Sequence, residues 1–104
     1  MHGFGRNAAS ADDLAGRFAQ APHVLATAAG SERVLLDLRG ERYYTLNEVG
    51  SRLWALLGPG ATVPEMVATI GREYDGAGAE QVERDVRALL AELLAAGLAV
   101  RASA

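Results

Sequence analysis

The sequence predicts an α+β domain in which a three-stranded antiparallel sheet is followed by three helices. Three observations carry this. Between residues 23 and 46, β-forming residues alternate with a period of two and are interrupted by Gly30-Ser31 and Arg39-Gly40. From Asn47 onward the apolar spacing changes to three and four. Helix boundary signals stand at Asn47, at Thr62-Val63-Pro64-Glu65 and at Gly97.

The first strand is read over His23–Ala28, ahead of a turn at Gly30-Ser31. In the second, Val34, Leu36 and Leu38 alternate with Arg33, Leu35 and Asp37, the pattern of a half-buried strand. Arg39-Gly40 makes the next turn, with glycine supplying the positive φ that tight hairpins use. Arg42–Leu46 is a third strand, rich in β-formers. Tyr44 and Leu46 fall on one of its faces, Tyr43 and Thr45 on the other.

Asn47 is a good N-cap for the first helix. Val49, Leu53, Trp54, Leu56 and Leu57 form its apolar face, and Gly58-Pro59 ends it. Gly50 inside this helix costs about 1 kcal/mol relative to Ala, a penalty that close approach by another backbone would explain. The second helix opens with a capping box and an early proline. Val63, Met66, Val67, Ile70 and Tyr74 share one face of it. After an Asp75–Gly78 loop, the third helix runs from about Ala79 to Ala96, with Val82, Val86, Leu89, Leu90, Leu93 and Leu94 as its stripe. Gly97 suits a left-handed C-cap, with Leu98 folding back onto the helix. Residues 1–21 are rich in Ala and Gly. They read as a flexible tail or a short helix starting near Ser10–Asp13, with Leu14 and Phe18 one turn apart, ahead of a folded unit over 22–101.

Composition narrows the function. At 104 residues the chain is the length of one domain. It has no cysteine, hence no disulfide or thiolate ligand. No apolar run is long enough to span a membrane, and the first ten residues lack a signal-peptide core, which points to the cytoplasm. All ten basic residues are arginine, and the net charge is −3, the wrong sign for a general nucleic-acid binder. The two histidines, His2 and His23, have no ligand-spaced neighbours, the serines sit in no nucleophile motif, and the glycines make no phosphate-binding loop. No catalytic residue, metal site or cofactor is indicated. Glu80, Glu83, Asp85 and Glu92 alternate with Arg84 and Arg87 as a solvated helix face, Asp85 alone lying beside the apolar stripe. The helix order also evokes a winged helix-turn-helix, and a DNA-binding transcription regulator is the alternative reading. The helix that would enter the major groove carries four acids against two arginines, a charge of −2, and its only amide is Gln81.

The strand Arg42–Leu46 is more informative. A three-stranded sheet with this connectivity leaves it at an edge, and it has neither proline nor lysine to blunt that edge. Either another part of the chain covers it or it accepts a foreign strand, whose apolar side chains would seat against the third helix through Val82, Val86 and Leu89 with Tyr43 or Tyr44 opposite. Edge-to-edge pairing would also make a homodimer.

The ordered set Leu36-Asp37, Tyr43-Tyr44, Leu46-Asn47, Trp54, Asp85-Val86, Leu93 and Gly97-Leu98 resembles the PqqD-like family of precursor-peptide recognition elements, which serve ribosomally made, modified peptides. The resemblance covers about residues 23–100. It implies a winged-helix-like fold and binding of a leader peptide as an extra strand on the third strand. By position, the implied surface is Arg42, Tyr43, Tyr44 and Thr45 with Val82, Asp85, Val86 and Leu89. The stretch Tyr44-Thr45-Leu46-Asn47 lacks the Pro-Glu usual in the pyrroloquinoline-quinone protein, and the chain looks more like the standalone proteins of lasso-peptide clusters. There the implied partners are a precursor leader, a maturation cysteine protease and an ATP-dependent cyclase, with the domain raising substrate concentration at those enzymes.

Overall fold

A computed structural model describes residues 14–102 apart from Asp75 and Ala77. The helix start expected at Ser10–Asp13, and His2, lie outside these residues. Two small antiparallel sheets flank three helices. The first sheet contains β2 (Val24–Ala29), β3 (Glu32–Asp37) and β4 (Arg42–Leu46) in that spatial order. This is the three-stranded sheet expected from the sequence, and α1 (Glu48–Leu56), α2 (Val63–Glu73) and α3 (Ala79–Ala95) follow it. The α+β class is therefore as read.

The second sheet was not anticipated. It has the order β5-β1-β6, built from β1 (Arg17–Gln20), β5 (Ala61–Thr62) and β6 (Ala99–Arg101). Arg17–Gln20, expected in a tail or short helix, is instead a strand clamped from both sides: Phe18 pairs with Ala61 on one and with Arg101 on the other. Phe18 is fully buried and Leu14 nearly so, with the Arg101 guanidinium 5.1 Å from the Phe18 ring centre. The Ala21 amide donates to the Leu98 carbonyl at 2.9 Å, and the Gln20 amide to that of Leu57 at 3.2 Å. Long-range pairing thus overrides a local sequence with weak preferences.

The helix boundaries follow the caps. Asn47 Oδ1 accepts from the Gly50 amide at 2.8 Å. Thr62 Oγ1 accepts from the Glu65 amide while Glu65 Oε1 accepts from the Thr62 amide, completing the capping box. At the end of α3, Gly97 has φ +77°. The Leu98 amide bonds to the Leu93 carbonyl and the Gly97 amide to that of Leu94, a Schellman closure that buries Leu98.

The structure decides the inner face of the first sheet, which the alternation left open, and corrects the reading of its second turn. Its helix-facing side carries Leu35, Asp37, Tyr44 and Leu46, so that of the alternating pair in β3 the buried members are Leu35 and Asp37. Val34, Leu36 and Leu25 lie on the outer face, and Leu38 beyond the strand end is exposed. Asp37 is tolerated inside because its carboxylate caps the following loop, accepting from the Arg39 and Gly40 amides at 3.0 and 3.1 Å. Gly40 does not supply the positive φ of the turn; Glu41 does, at +55°. Glycine is needed at 40 for space, since a Cβ there would stand 2.9 Å from Asp37 Oδ2.

The core lies between the helices and the inner face of the β2-β3-β4 sheet, centred on Leu35, Leu53, Leu57, Met66, Ile70 and Leu90. Two bidentate ion pairs brace its surface: Arg52 of α1 with Glu73 of α2, and Arg17 of β1 with Glu65 of α2.

Candidate functional site

Among the described residues, β4 pairs with β3 only, so its other side is an open edge. Which of its groups face outward follows from the ladder. The Leu38 amide donates to the His23 carbonyl, which continues the β2–β3 register and turns the even-numbered residues of β3 toward β2. Antiparallel alternation then turns Arg33, Leu35 and Asp37 toward β4, where they oppose Leu46, Tyr44 and Arg42. The backbone groups of Tyr43 and Thr45 therefore point to the open edge, two amides and two carbonyls in all.

Beside that edge runs a groove with α3 as its far wall. One part, about 400 Å³, is lined by Thr45, Leu46, Asn47, Val49, Gly50, Asp85, Ala88, Leu89 and Glu92. A smaller part, about 210 Å³, continues toward the end of α3 past Tyr44, Leu93, Ala96 and Leu98. Asn47 sets the start of α1 and thereby the position of Gly50 at the groove floor. The buried Ser51 hydroxyl donates to the Leu46 carbonyl at 3.1 Å and holds the β4–α1 junction.

The eight residues implied by the sequence divide into three groups. Thr45, Asp85 and Leu89 line the main groove and Tyr44 its continuation, the Arg42 guanidinium lying 6.0 Å from the Tyr44 ring centre. Tyr43, 73% exposed, points to the opposite face of the sheet, where it joins Leu25, Val34 and Leu36. Val82 and Val86 do not reach the groove. They are 5% and 2% exposed and belong to the core, because α3 turns its 82-86-90-93 stripe inward. Ala88, Glu92, Leu93 and Ala96 were not read as site residues. Glu92 and Ala96 belong to a second helical series, 85-89-92-96, running alongside the core stripe, with Ala88 one turn from Asp85, whereas Leu93 is a member of the core stripe whose edge reaches the smaller part of the groove.

No cysteine, histidine, lysine or serine lines either described part of the groove. Among the described residues no group of three metal-ligating side chains comes together, and no helix is long and apolar enough to cross a membrane. His23 meets a carboxylate after all, its Nε2 standing 3.6 Å from Asp37 Oδ1, but this pair lies at the base of the sheet and outside the groove lining. Asp37 sits below the usual carboxylate range, chiefly because the Gly40 amide donates to it.

The sequence profile of the family described as coenzyme PQQ synthesis protein D (PqqD) matches residues 32–99, more than half of the chain. The chain belongs to the PqqD family. Among solved structures it is similar to TbiB1 in complex with the TbiA(beta) leader peptide: 34% identity, TM-score 0.74, covering 83% of this chain and 99% of that one. It is also similar to lasso peptide synthetase B1 complexed with the leader peptide: 26% identity, TM-score 0.71, covering 80% and 96%. No curated protein matches the sequence. The resemblance read over residues 23–100 holds, and this PqqD family member is a non-catalytic binding domain of the recognition-element type.

Proposed function

We propose that the protein binds the leader region of a ribosomally made precursor peptide as a fourth strand on β4 and presents it to a maturation cysteine protease and an ATP-dependent cyclase of the lasso-peptide type, in the cytoplasm. The carrying observation is the juxtaposition of the outward-facing amides and carbonyls of Tyr43 and Thr45 with an apolar-floored groove. That both similar structures hold leader peptides supports the reading.

Magnitudes require both halves of the site. Four backbone hydrogen bonds contribute about 2–6 kcal/mol in total, whereas micromolar affinity needs about 8 kcal/mol. Ordering a disordered peptide costs a further 2–5 kcal/mol or so. The difference must come from apolar side chains seated in the groove over Leu46, Leu89 and Leu93, at about 1.5–3 kcal/mol for each one fully buried. The domain then acts by effective concentration, holding substrate beside enzymes that supply the chemistry.

The test is fluorescence anisotropy of a labelled leader from the neighbouring precursor gene with the full chain. Micromolar or tighter binding is expected, and no binding at about 100 μM overturns the reading.

A further inference from the structure

Resting on the strand-addition reading, we infer that the groove selects a cationic segment as well as an apolar one: an extended peptide with an apolar side chain flanked on the same face by two basic residues.

Three observations lead there. First, both charged residues lining the groove, Asp85 and Glu92, are acids, and no arginine or histidine lines either part of it. Second, these carboxylates are available. Glu92 makes no ion pair or side-chain hydrogen bond among the described residues. Asp85 gives one oxygen, Oδ1, to Gln81 Nε2 at 2.9 Å. None of the cations on the bounding elements lines the groove: Arg42 lies 6.0 Å from the ring centre of Tyr44, at the end of the groove near the end of α3, Arg87 is tied to Glu83 at 3.0 Å, and Arg84 stands one turn before Ala88. Third, the two acids bracket the apolar wall. Leu89 lies between them on the same side of α3.

The spacing sets the pattern. Seven helical residues advance about 10.5 Å. Side chains on one face of a strand repeat about every 6.6–6.8 Å, so alternate-but-one positions stand about 13 Å apart. A peptide reading basic–x–apolar–x–basic places its apolar residue against Leu89 and its two cations near Asp85 and Glu92, with long arginine or lysine arms absorbing the difference of a few ångströms. Charge complementarity of this kind fixes register along the edge, which backbone hydrogen bonds alone leave free to slip by two residues.

The test uses the full chain and a displayed library of random 12-residue peptides, with Thr45→Pro as counter-selection. Enrichment of Thr45→Pro-sensitive peptides with basic residues flanking an apolar one is expected. By anisotropy, the best such peptide should bind Asp85→Asn/Glu92→Gln about tenfold more weakly than the parent, since each exposed pair contributes about 1.5- to 5-fold. The double variant should lose most of the salt dependence, and Glu80→Gln, an acid of α3 away from the groove, should bind as the parent does. Sensitive peptides with neutral or acidic flanks, or full affinity in the double variant, overturn the cationic preference alone. If no Thr45→Pro-sensitive peptide is recovered, strand addition itself falls and this inference with it.

Discussion

Gly50 of α1 leaves room for Leu89 of α3. A Cβ at position 50 would stand 3.3 Å from Leu89 Cδ2 and 3.2 Å from the capping oxygen of Asn47. The glycine that weakens α1 therefore lets a side chain from α3 close over the β4–α1 junction, where the expectation was another backbone. Gly50→Ala should gain up to about 1 kcal/mol in helix propensity and lose a similar amount to crowding, leaving the denaturation midpoint nearly unchanged. Leu89 would be displaced toward the groove, and leader affinity should fall about tenfold. Urea denaturation and anisotropy on the same preparation separate the two effects. A variant that is more stable and binds normally would show that Leu89 moves without consequence.

The orientation of β4 gives a sharper test. Thr45 turns its amide to the open edge and Tyr44 turns its amide to β3. Proline at 45 should leave the β3–β4 ladder intact while removing an outward donor, so the fold is kept and leader binding drops at least tenfold. Proline at 44 should instead break the ladder and lower stability by about 3 kcal/mol or more. Circular dichroism melts with anisotropy check both. Reversed behaviour, with proline at 45 destabilising and proline at 44 tolerated, would mean that the strand alternates the other way.

The three strands between residues 24 and 46 and the three helices were legible because each carried its own local signal. Asn47, Thr62 with Glu65, and Gly97 all cap where the sequence put them. What was hidden depended on partners remote in sequence. Arg17–Gln20 is a strand because Thr62, Ala61 and residues 99–101 come to it. The inward turn of Leu35 was not readable from period-two alternation in β3, since Val34 and Leu36 are as apolar as Leu35 and only the capping role of Asp37 decides the face. Of the residues read for the site, Tyr44, Thr45, Asp85 and Leu89 line the groove, whereas Val82 and Val86 were not separable from such neighbours without knowing how α3 rotates about its axis.

The β1 strand makes Arg17–Gln20 part of the folded unit. Phe18→Ala should cost about 3–5 kcal/mol, as expected for removing a fully buried ring. A chain beginning at Pro22 should lose cooperative unfolding, because β5 and β6 would then lack the strand that joins them. Chemical denaturation of both checks this. A cooperative, leader-binding chain without β1 would return the segment to the status of a tail.

Acid should loosen the hairpin that carries the open edge of β4. Asp37 is held below its ordinary value of 3.8, first by the Gly40 amide and against the opposing effect of burial, with the Arg39 amide, His23 and Arg42 acting in the same direction as Gly40. Glu65 and Glu73 are held below 4.5, the first mainly by the Thr62 amide, the second by Arg52. A carboxylate whose folded value lies under its unfolded one stabilises the protein above the unfolded value, and that contribution disappears as pH falls through the folded one. The denaturation midpoint should therefore be flat with respect to these three groups above about pH 5 and decline below about 4.5, the Asp37 share entering below 3.8. Asp37→Asn retains an acceptor for the Arg39 and Gly40 amides but does not titrate. It should be less stable than the parent at neutral pH and shallower in its acid decline, as measured by urea midpoints from pH 2.5 to 7. An unchanged acid slope would show that the Asp37 charge is as well accommodated in the unfolded chain as it is under Gly40.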